Sequence, residues 1–117
     1  MPAMQHKGKI LDRTLPAMDD FDANVFLDDF AVSEDPDKAI TAGLFRIEAG
    51  ESMTYTYTYH EIKLIVDGEV HITDCTGETV VGTKGDLFYF PDDCEVTFWT
   101  PTFGVGYFVG QRGEGEA

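Results

Sequence analysis

The sequence predicts an all-β fold for a single domain of 117 residues. From residue 41 onward, β-branched and aromatic residues occur in short runs, which is typical of strands. Turn-forming segments rich in glycine, proline and aspartate separate these runs at short intervals. No apolar period of a helix extends over ten or more residues, so long helices are not expected. Many short strands around one core favour a sandwich or barrel.

The first part of the chain, residues 1–40, is predicted to be an acidic N-terminal arm, and residues 41–117 form the predicted barrel. The arm carries acidic pairs at 19–20 and 28–29 and a Ser-Glu-Asp-Pro-Asp segment at 33–37. Apolar residues between Phe21 and Phe30 give it a surface for packing. The arm could pack on its own barrel or exchange with a neighbouring subunit, and both possibilities stay open.

Eight strands are predicted in the barrel. They cover residues 43–48, 52–59, 61–66, 69–74, 78–81, 87–90, 95–100 and 104–109. Alternation between polar and apolar residues within these runs predicts which side chains form the core. The predicted core consists of Phe45, Ile47, Ile65, Val66, Ile72, Val80, Leu87, Phe88, Phe90, Val96, Phe98, Val105 and Phe108.

The charge of the chain restricts its partners. With 8 basic and 22 acidic residues, the formal net charge is -14 and the pI is about 4.2. Such a surface repels nucleic acid and anionic membranes, so neither is an expected partner, whereas a small molecule or another protein is. Two cysteines are too few for a disulfide scaffold, and the sequence contains neither a signal-peptide pattern nor a 20-residue apolar span. We therefore expect a cytoplasmic protein.

Two segments carry a resemblance to a known family. In residues 50–68, Glu61 precedes Gly68 with six residues between them, and in residues 85–96 a Gly85-Asp86 pair is followed by Pro91. These segments resemble the paired motifs of the cupin superfamily. The resemblance implies a jelly-roll barrel, also called a double-stranded β-helix, which pairs into homodimers. Residues 54–61, Thr-Tyr-Thr-Tyr-Thr-Tyr-His-Glu, further resemble cupins of the ethanolamine-utilisation EutQ type.

The ligand positions of metal-binding cupins are not retained in this sequence. The resemblance places the usual paired histidines among Tyr55, Thr56, Tyr57 and Thr58, and the last histidine at Val96. Only the glutamate, Glu61, is kept. One carboxylate cannot satisfy a transition metal, which needs three or four converging ligands. No metal or other cofactor is therefore expected.

Strand alternation predicts the lining of the barrel cavity. Tyr55, Tyr57, Tyr59, Glu61 and Lys63 share one face if no bulge intervenes, and in cupins the glutamate points inward. Burial would raise the pKa of this carboxyl and let it exchange protons with a substrate, while phenol groups donate hydrogen bonds to a carbonyl-type oxygen. Alternatively, the tyrosines could only satisfy one another, and the acid and the lysine could form a surface pair.

These arguments predict a catalytic pair and a set of ligand-binding residues. Glu61 and Tyr57 are the predicted catalytic residues. The predicted substrate-binding residues are Tyr55, Tyr59, Lys63, Val96 and Phe98.

Three functions are compatible with this interior. The leading hypothesis is a metal-independent cupin enzyme that performs isomerisation, elimination or cyclisation by proton transfer on a small organic molecule. The second is a cupin that binds a small molecule without turnover. The third is a metal cupin with unconventional ligands, such as Glu61 with His60, Tyr57 or His71.

Overall fold

The computed structural model describes residues 3–117, and the first two residues of the predicted arm lie outside the described part. The described chain is all-β, as the sequence predicts. Its strands are β1 (Val25–Val32), β2 (Thr41–Glu48), β3 (Met53–Thr56), β4 (Glu61–Thr73), β5 (Thr79–Thr83), β6 (Leu87–Phe90), β7 (Glu95–Trp99) and β8 (Phe103–Gly110). The helical structure in residues 3–117 is one 3-10 turn, Ile10–Asp12, and no helix there could cross a membrane.

The strands form two antiparallel sheets that share the long strand β4. Along the first sheet the order is β1-β2-β8-β4-β6, and along the second it is β5-β4-β7-β3. The first part of β4 pairs with β8 and β6, and its last part pairs with β5 and β7. A register shift between Ile65 and Asp67 marks the change from one sheet to the other. The sheets therefore curl around a common interior in a jelly roll.

Strand β1 lies in the region that the sequence analysis treated as an arm without strands. It pairs with β2 along almost its whole length, and Ala23 and Val25 belong to the core. The acidic pair inside β1 is untypical of a strand, so the sequence did not predict one here. Asp29 is tolerated there because Arg112 bonds its carboxylate at 2.8 and 2.9 Å. In the structure this strand packs on its own barrel.

The core follows strand alternation, and in β6 the inward residues are Phe88 and Phe90. Phe45, Ile47, Ile65, Ile72, Phe90, Val96, Phe98 and Phe108 are buried as predicted. The predictions for Val80 and Leu87 are wrong, because these side chains are 42% and 67% exposed. Val66, Phe88 and Val105 are only partly buried. Ile65 and Val66 are neighbours on one strand and cannot both point inward, since successive side chains point to opposite faces.

Candidate functional site

A small cavity inside the barrel brings together most of the residues that the sequence analysis singled out. It is lined by Met18, Leu27, Phe45, Met53, Tyr55, Tyr57, Tyr59, Glu61, Lys63, Phe98 and Ala117. Its free volume is about 20 Å³, which is close to the space that one water molecule requires. The cavity is therefore nearly filled by its own side chains, and a larger molecule can enter only if some of them move.

The side chains of the tyrosine row continue to alternate between inward and outward positions in the segment that connects β3 and β4. Strand β3 ends at Thr56 and β4 begins at Glu61, yet Tyr57 and Tyr59 still point inward and are 2% and 7% exposed. The loop before β7 replaces the missing strand partner. The Tyr57 N–H donates to the carbonyl of Cys94 at 2.9 Å, and the Asp93 N–H donates to the carbonyl of Tyr57 at 2.7 Å. These hydrogen bonds hold Tyr57 in place although the segment is not part of a strand.

Glu61 is the centre of the cavity's polar contacts. Its Oε2 atom accepts a hydrogen bond of 2.6 Å from the Tyr57 hydroxyl and lies 3.4 Å from Nζ of Lys63. Both residues of the charged pair are 4% exposed, so the pair is not at the surface. A buried carboxylate with a short hydrogen bond from a phenol and a nearby ammonium is an arrangement that can hold or transfer a proton.

Aromatic rings surround the ammonium group of Lys63. Nζ lies 4.4 Å from the ring centre of Phe45 and 4.6 Å from that of Phe98. Ring faces attract cations and replace part of the hydration that burial removes. Burial nevertheless lowers the pKa of Lys63, although the Glu61 carboxylate acts in the opposite direction. The lysine is thus a poorly hydrated ammonium whose main counter-charge is Glu61.

Strand β8 makes room for these side chains with glycines on its inner face. A Cβ atom at Gly106 would lie 2.9 Å from Cγ of Lys63, and one at Gly110 would lie 3.1 Å from the ring of Tyr59. The first distance is shorter than carbon atoms tolerate. The alternation of glycine with larger residues in β8 is therefore what allows the lysine and the tyrosine to fill the interior.

The phenol groups are held in their protonated form. Burial raises the pKa of Tyr57 well above its usual value, and the charge of Glu61 and the hydrogen bond to it act in the same direction. Burial also raises the pKa of Tyr59, assisted by the hydrogen bond between its hydroxyl and that of Tyr55 at 2.9 Å. Tyr55 and Tyr59 therefore satisfy each other, which was one of the alternatives left open by the sequence. Tyr57 and Tyr59 can both act as hydrogen-bond donors at neutral pH.

The structure also places residues that the sequence analysis did not assign correctly or at all. Phe98 lines the cavity, whereas Val96, two residues before it on β7, is completely buried and does not line it. Met18 and Leu27 come from the predicted arm, and Ala117 comes from the segment after β8. No signal in the local sequence links these residues to the tyrosine row, since their approach depends on pairing between distant segments.

A buried ion pair fixes the segment after β8 over this end of the barrel. The Arg112 guanidinium bonds both carboxylate oxygens of Asp29, and the Gly115 N–H donates to the same carboxylate at 2.8 Å. Burial alone would raise the pKa of Asp29, but the hydrogen bonds from Arg112 and Gly115 hold it below its usual value. The pair therefore remains charged at neutral pH and holds Ala117 near the cavity.

The donor atoms around Glu61 do not fit the metal ion that many cupins hold. Its neighbours are phenol groups and an ammonium, and a cation at 3.4 Å already faces the carboxylate. Across residues 3–117, no group of three histidine, cysteine or acidic side chains could bind a metal. His60 instead contacts the hydroxyl of Tyr89 at 2.8 Å, and His71 contacts Glu69 at 3.3 Å. The unconventional ligand set considered for a metal cupin is not assembled.

The curled sheets and the glutamate in the interior define a jelly-roll cupin. More specifically, the chain belongs to the EutQ-like cupin domain family, whose model matches residues 34–105. The curated protein "Acetate kinase EutQ" of Salmonella typhimurium is 30% identical over 71 residues, which are 61% of this chain and 30% of that protein. The chain therefore corresponds to less than a third of that relative's length.

Solved structures of related proteins agree with this assignment. A putative ethanolamine utilization protein Q from Salmonella typhimurium is 25% identical, with a TM-score of 0.74 over 86% of this chain and 80% of that chain. The EutQ protein of Clostridium difficile is 21% identical, with a TM-score of 0.66 over 77% of this chain and 64% of that chain.

Proposed function

We propose that this cupin binds a small organic molecule inside its barrel and moves a proton on it, with Glu61 as general acid or base. The observation that supports this most strongly is the buried contact of 2.6 Å between Tyr57 and Glu61, with Lys63 beside the same carboxylate oxygen. Buried titratable groups joined in this way are frequent in sites of proton-transfer chemistry.

In the proposed reaction, charge balance explains the presence of the lysine. When Glu61 takes a proton from a carbon or oxygen atom of the ligand, the carboxylate becomes neutral and Lys63 loses its counter-charge. Negative charge develops on the ligand at the same time. The ammonium and the Tyr57 hydroxyl can then stabilise a developing enolate or alkoxide oxygen, in an interior where such contacts are stronger than in water. Tyr55 and Tyr59 would orient the ligand by hydrogen bonds.

The class of reaction follows from these groups. Isomerisation, elimination and cyclisation need proton transfer and a shaped interior, and the acid, the phenols and the ammonium supply both. The free volume of about 20 Å³ requires that the ligand displaces part of the lining. Met18 lies outside the strands and is only partly buried, so it is a lining residue that can move.

A cupin that binds a small molecule without turnover is the alternative. The existing contacts of Glu61 with Tyr57 and Lys63 favour this alternative, because they leave the carboxylate already paired. We do not propose the kinase activity in the name of the Salmonella relative for this chain. A net charge of -14 repels nucleoside triphosphates, and most of that relative lies outside the matched region.

Deuterium incorporation tests the proposal for a reaction whose product is still unidentified. The protein is incubated in heavy water with a panel of small carbonyl and hydroxyacid compounds, and loss of ligand C–H signals is followed by proton NMR. The wild type is expected to exchange at least one compound, and Glu61→Gln to lose about 100-fold or more of the rate. Tyr57→Phe keeps the charged pair and should lose less.

The control variant is Glu95→Gln, which changes an exposed carboxyl outside the cavity and should leave the rate unchanged. Equal exchange by wild type and Glu61→Gln would reject Glu61 as the acid or base. Binding of a compound in the barrel without exchange would instead support the binding function.

We also propose that the protein is a cytoplasmic homodimer. On the outer face of the first sheet, Ile62 of β4 is in register with Tyr89 of β6, and these side chains are 50% and 58% exposed. Leu87 on the same strand is 67% exposed. An apolar row of this kind is a suitable surface for a second copy, because association would remove these side chains from water.

A further inference from the structure

The two cysteines, 19 residues apart in the sequence, lie next to each other beside Phe90. Sγ of Cys94 is 3.8 Å from Sγ of Cys75. Cys75 is exposed in the turn between β4 and β5, whereas Cys94 is 5% exposed in the loop before β7. One thiol is therefore accessible to a reagent, and the other is protected but within reach of the first.

Both thiols border a groove that is much larger than the tyrosine cavity. The groove has a volume of about 300 Å³ and a floor that includes Ile72, Phe88 and Phe90. Asp74 and Glu78 are among its polar lining residues. A pocket of this size and composition can admit a small molecule with an apolar body, and its acidic rim favours a cationic molecule over an anionic one.

We propose that Cys75 and Cys94 form a site of thiol–disulfide exchange that accepts small neutral or cationic disulfides. The Cys75 thiolate attacks one sulfur of the reagent, the reagent's S–S bond breaks, and one half leaves as a thiol after taking up a proton. Cys94 then loses its proton and attacks the Cys75 sulfur, which releases the second half as a thiol. Two protein thiols are oxidised to one disulfide, and the reagent is reduced to two thiols.

The geometry allows the second step with a small movement. A disulfide bond is about 2.0 Å long, so the sulfurs must approach from 3.8 Å. Cys75 lies in an exposed hairpin turn, where its side chain can make this movement without displacing core residues. Direct oxidation by peroxide could reach the same disulfide, but the groove gives the exchange reaction a place for the reagent.

The disulfide would also connect the groove to the tyrosine row. The carbonyl of Cys94 accepts the Tyr57 N–H, and Asp93 beside it donates to the Tyr57 carbonyl. Oxidation would therefore tie the loop that holds Tyr57 to the β4–β5 turn. A crosslink between residues 19 positions apart should raise the melting temperature by about 10 °C.

Mass spectrometry after alkylation of the remaining thiols tests the exchange. The reduced full chain is treated with cystamine, and the wild type is expected to lose both thiols together and to retain no reagent. Cys94→Ala should instead retain one half of the reagent on Cys75, and Cys75→Ser should leave Cys94 unmodified with an unchanged melting temperature. A wild-type protein that keeps the adduct on Cys75 with a free Cys94, or that crosslinks two chains, would overturn the proposal.

Reagents of different charge test the role of the groove. Cationic cystamine should react faster than neutral hydroxyethyl disulfide, and oxidised glutathione, which is anionic, should react most slowly. The differences should shrink at high ionic strength, because salt screens the acidic rim. Equal rates for all three reagents at low ionic strength would reject the groove as the site of reaction.

Discussion

Separation of the buried pair of Glu61 and Lys63 should destabilise the protein strongly. Lys63→Met removes the ammonium but leaves the carboxylate buried, with Tyr57 as its donor. At 3.4 Å and an effective dielectric constant of about 20, the attraction between two unit charges is about 5 kcal/mol. Loss of one partner of a buried pair costs about 3 to 5 kcal/mol. We therefore expect Lys63→Met to lower the free energy of unfolding by about 3 to 5 kcal/mol.

A double-mutant cycle in urea separates this effect from the loss of packing. Glu61→Gln alone leaves the ammonium without its counter-charge and should also cost several kcal/mol. The combined variant, Glu61→Gln with Lys63→Met, leaves no buried charge in the pair, and its stability should lie within about 1 kcal/mol of the wild type. Additive effects of the two substitutions would refute the reasoning, because they would mean that the carboxylate and the ammonium do not interact.

Three further predictions concern the tyrosines, the glycines of β8 and the outer face. Because burial raises the pKa of Tyr59, the folded state should hold more protons than the unfolded state above pH 10.5. The free energy of unfolding should therefore fall with pH, by up to about 1.4 kcal/mol per pH unit from this group. Tyr59→Phe should reduce this slope. Gly106→Ala should cost about 1 to 3 kcal/mol in urea unfolding, because its methyl group would overlap the enclosed Lys63 side chain. Leu87→Lys should convert the proposed dimer to a monomer of 13.0 kDa in light scattering without loss of stability.

The choice of pH range and two control variants separate these effects from other causes. The dependence of the free energy of unfolding on pH is measured above pH 10.5, because below that value the lowered pKa of Lys63 makes stability rise with pH. An unchanged slope in Tyr59→Phe would contradict the first prediction. Gly8→Ala adds a methyl group where the nearest atom is 3.9 Å away, and an equal cost at both glycines would contradict the second. Leu11→Lys changes a residue that is 65% exposed on the 3-10 turn, and a wild-type monomer at micromolar concentration would contradict the third.

Local alternation was sufficient to predict the tyrosine row, whereas the family was predicted from the resemblance of two short segments. Successive side chains alternate between the two faces, so Tyr57, Tyr59 and Glu61 are buried on the same face. This alternation continues through the gap between β3 and β4. Gly85 lies in a turn, as local sequence predicts, whereas Gly68 lies inside β4, which joins the two strands predicted at 61–66 and 69–74. The fold class could therefore be derived from short-range patterns together with the resemblance.

Features that depend on distant segments could not be predicted in this way. Strand β1 looks unsuitable for a sheet until the partner of Asp29 is known, and that partner, Arg112, is 83 residues away. The contact between Cys75 and Cys94 likewise results from the packing of two turns, each of which looks ordinary in the sequence.

A crystal structure with a bound compound would test the proposed site most directly. The compound is chosen as one whose C–H exchange the protein accelerates in heavy water. We predict that it lies in the barrel, with an oxygen atom about 2.6 to 3.2 Å from Tyr57 or Lys63 and the exchanging carbon next to Glu61. A compound bound elsewhere, for example in the groove beside Cys75, with the contact between Tyr57 and Glu61 unchanged, would contradict the proposed function.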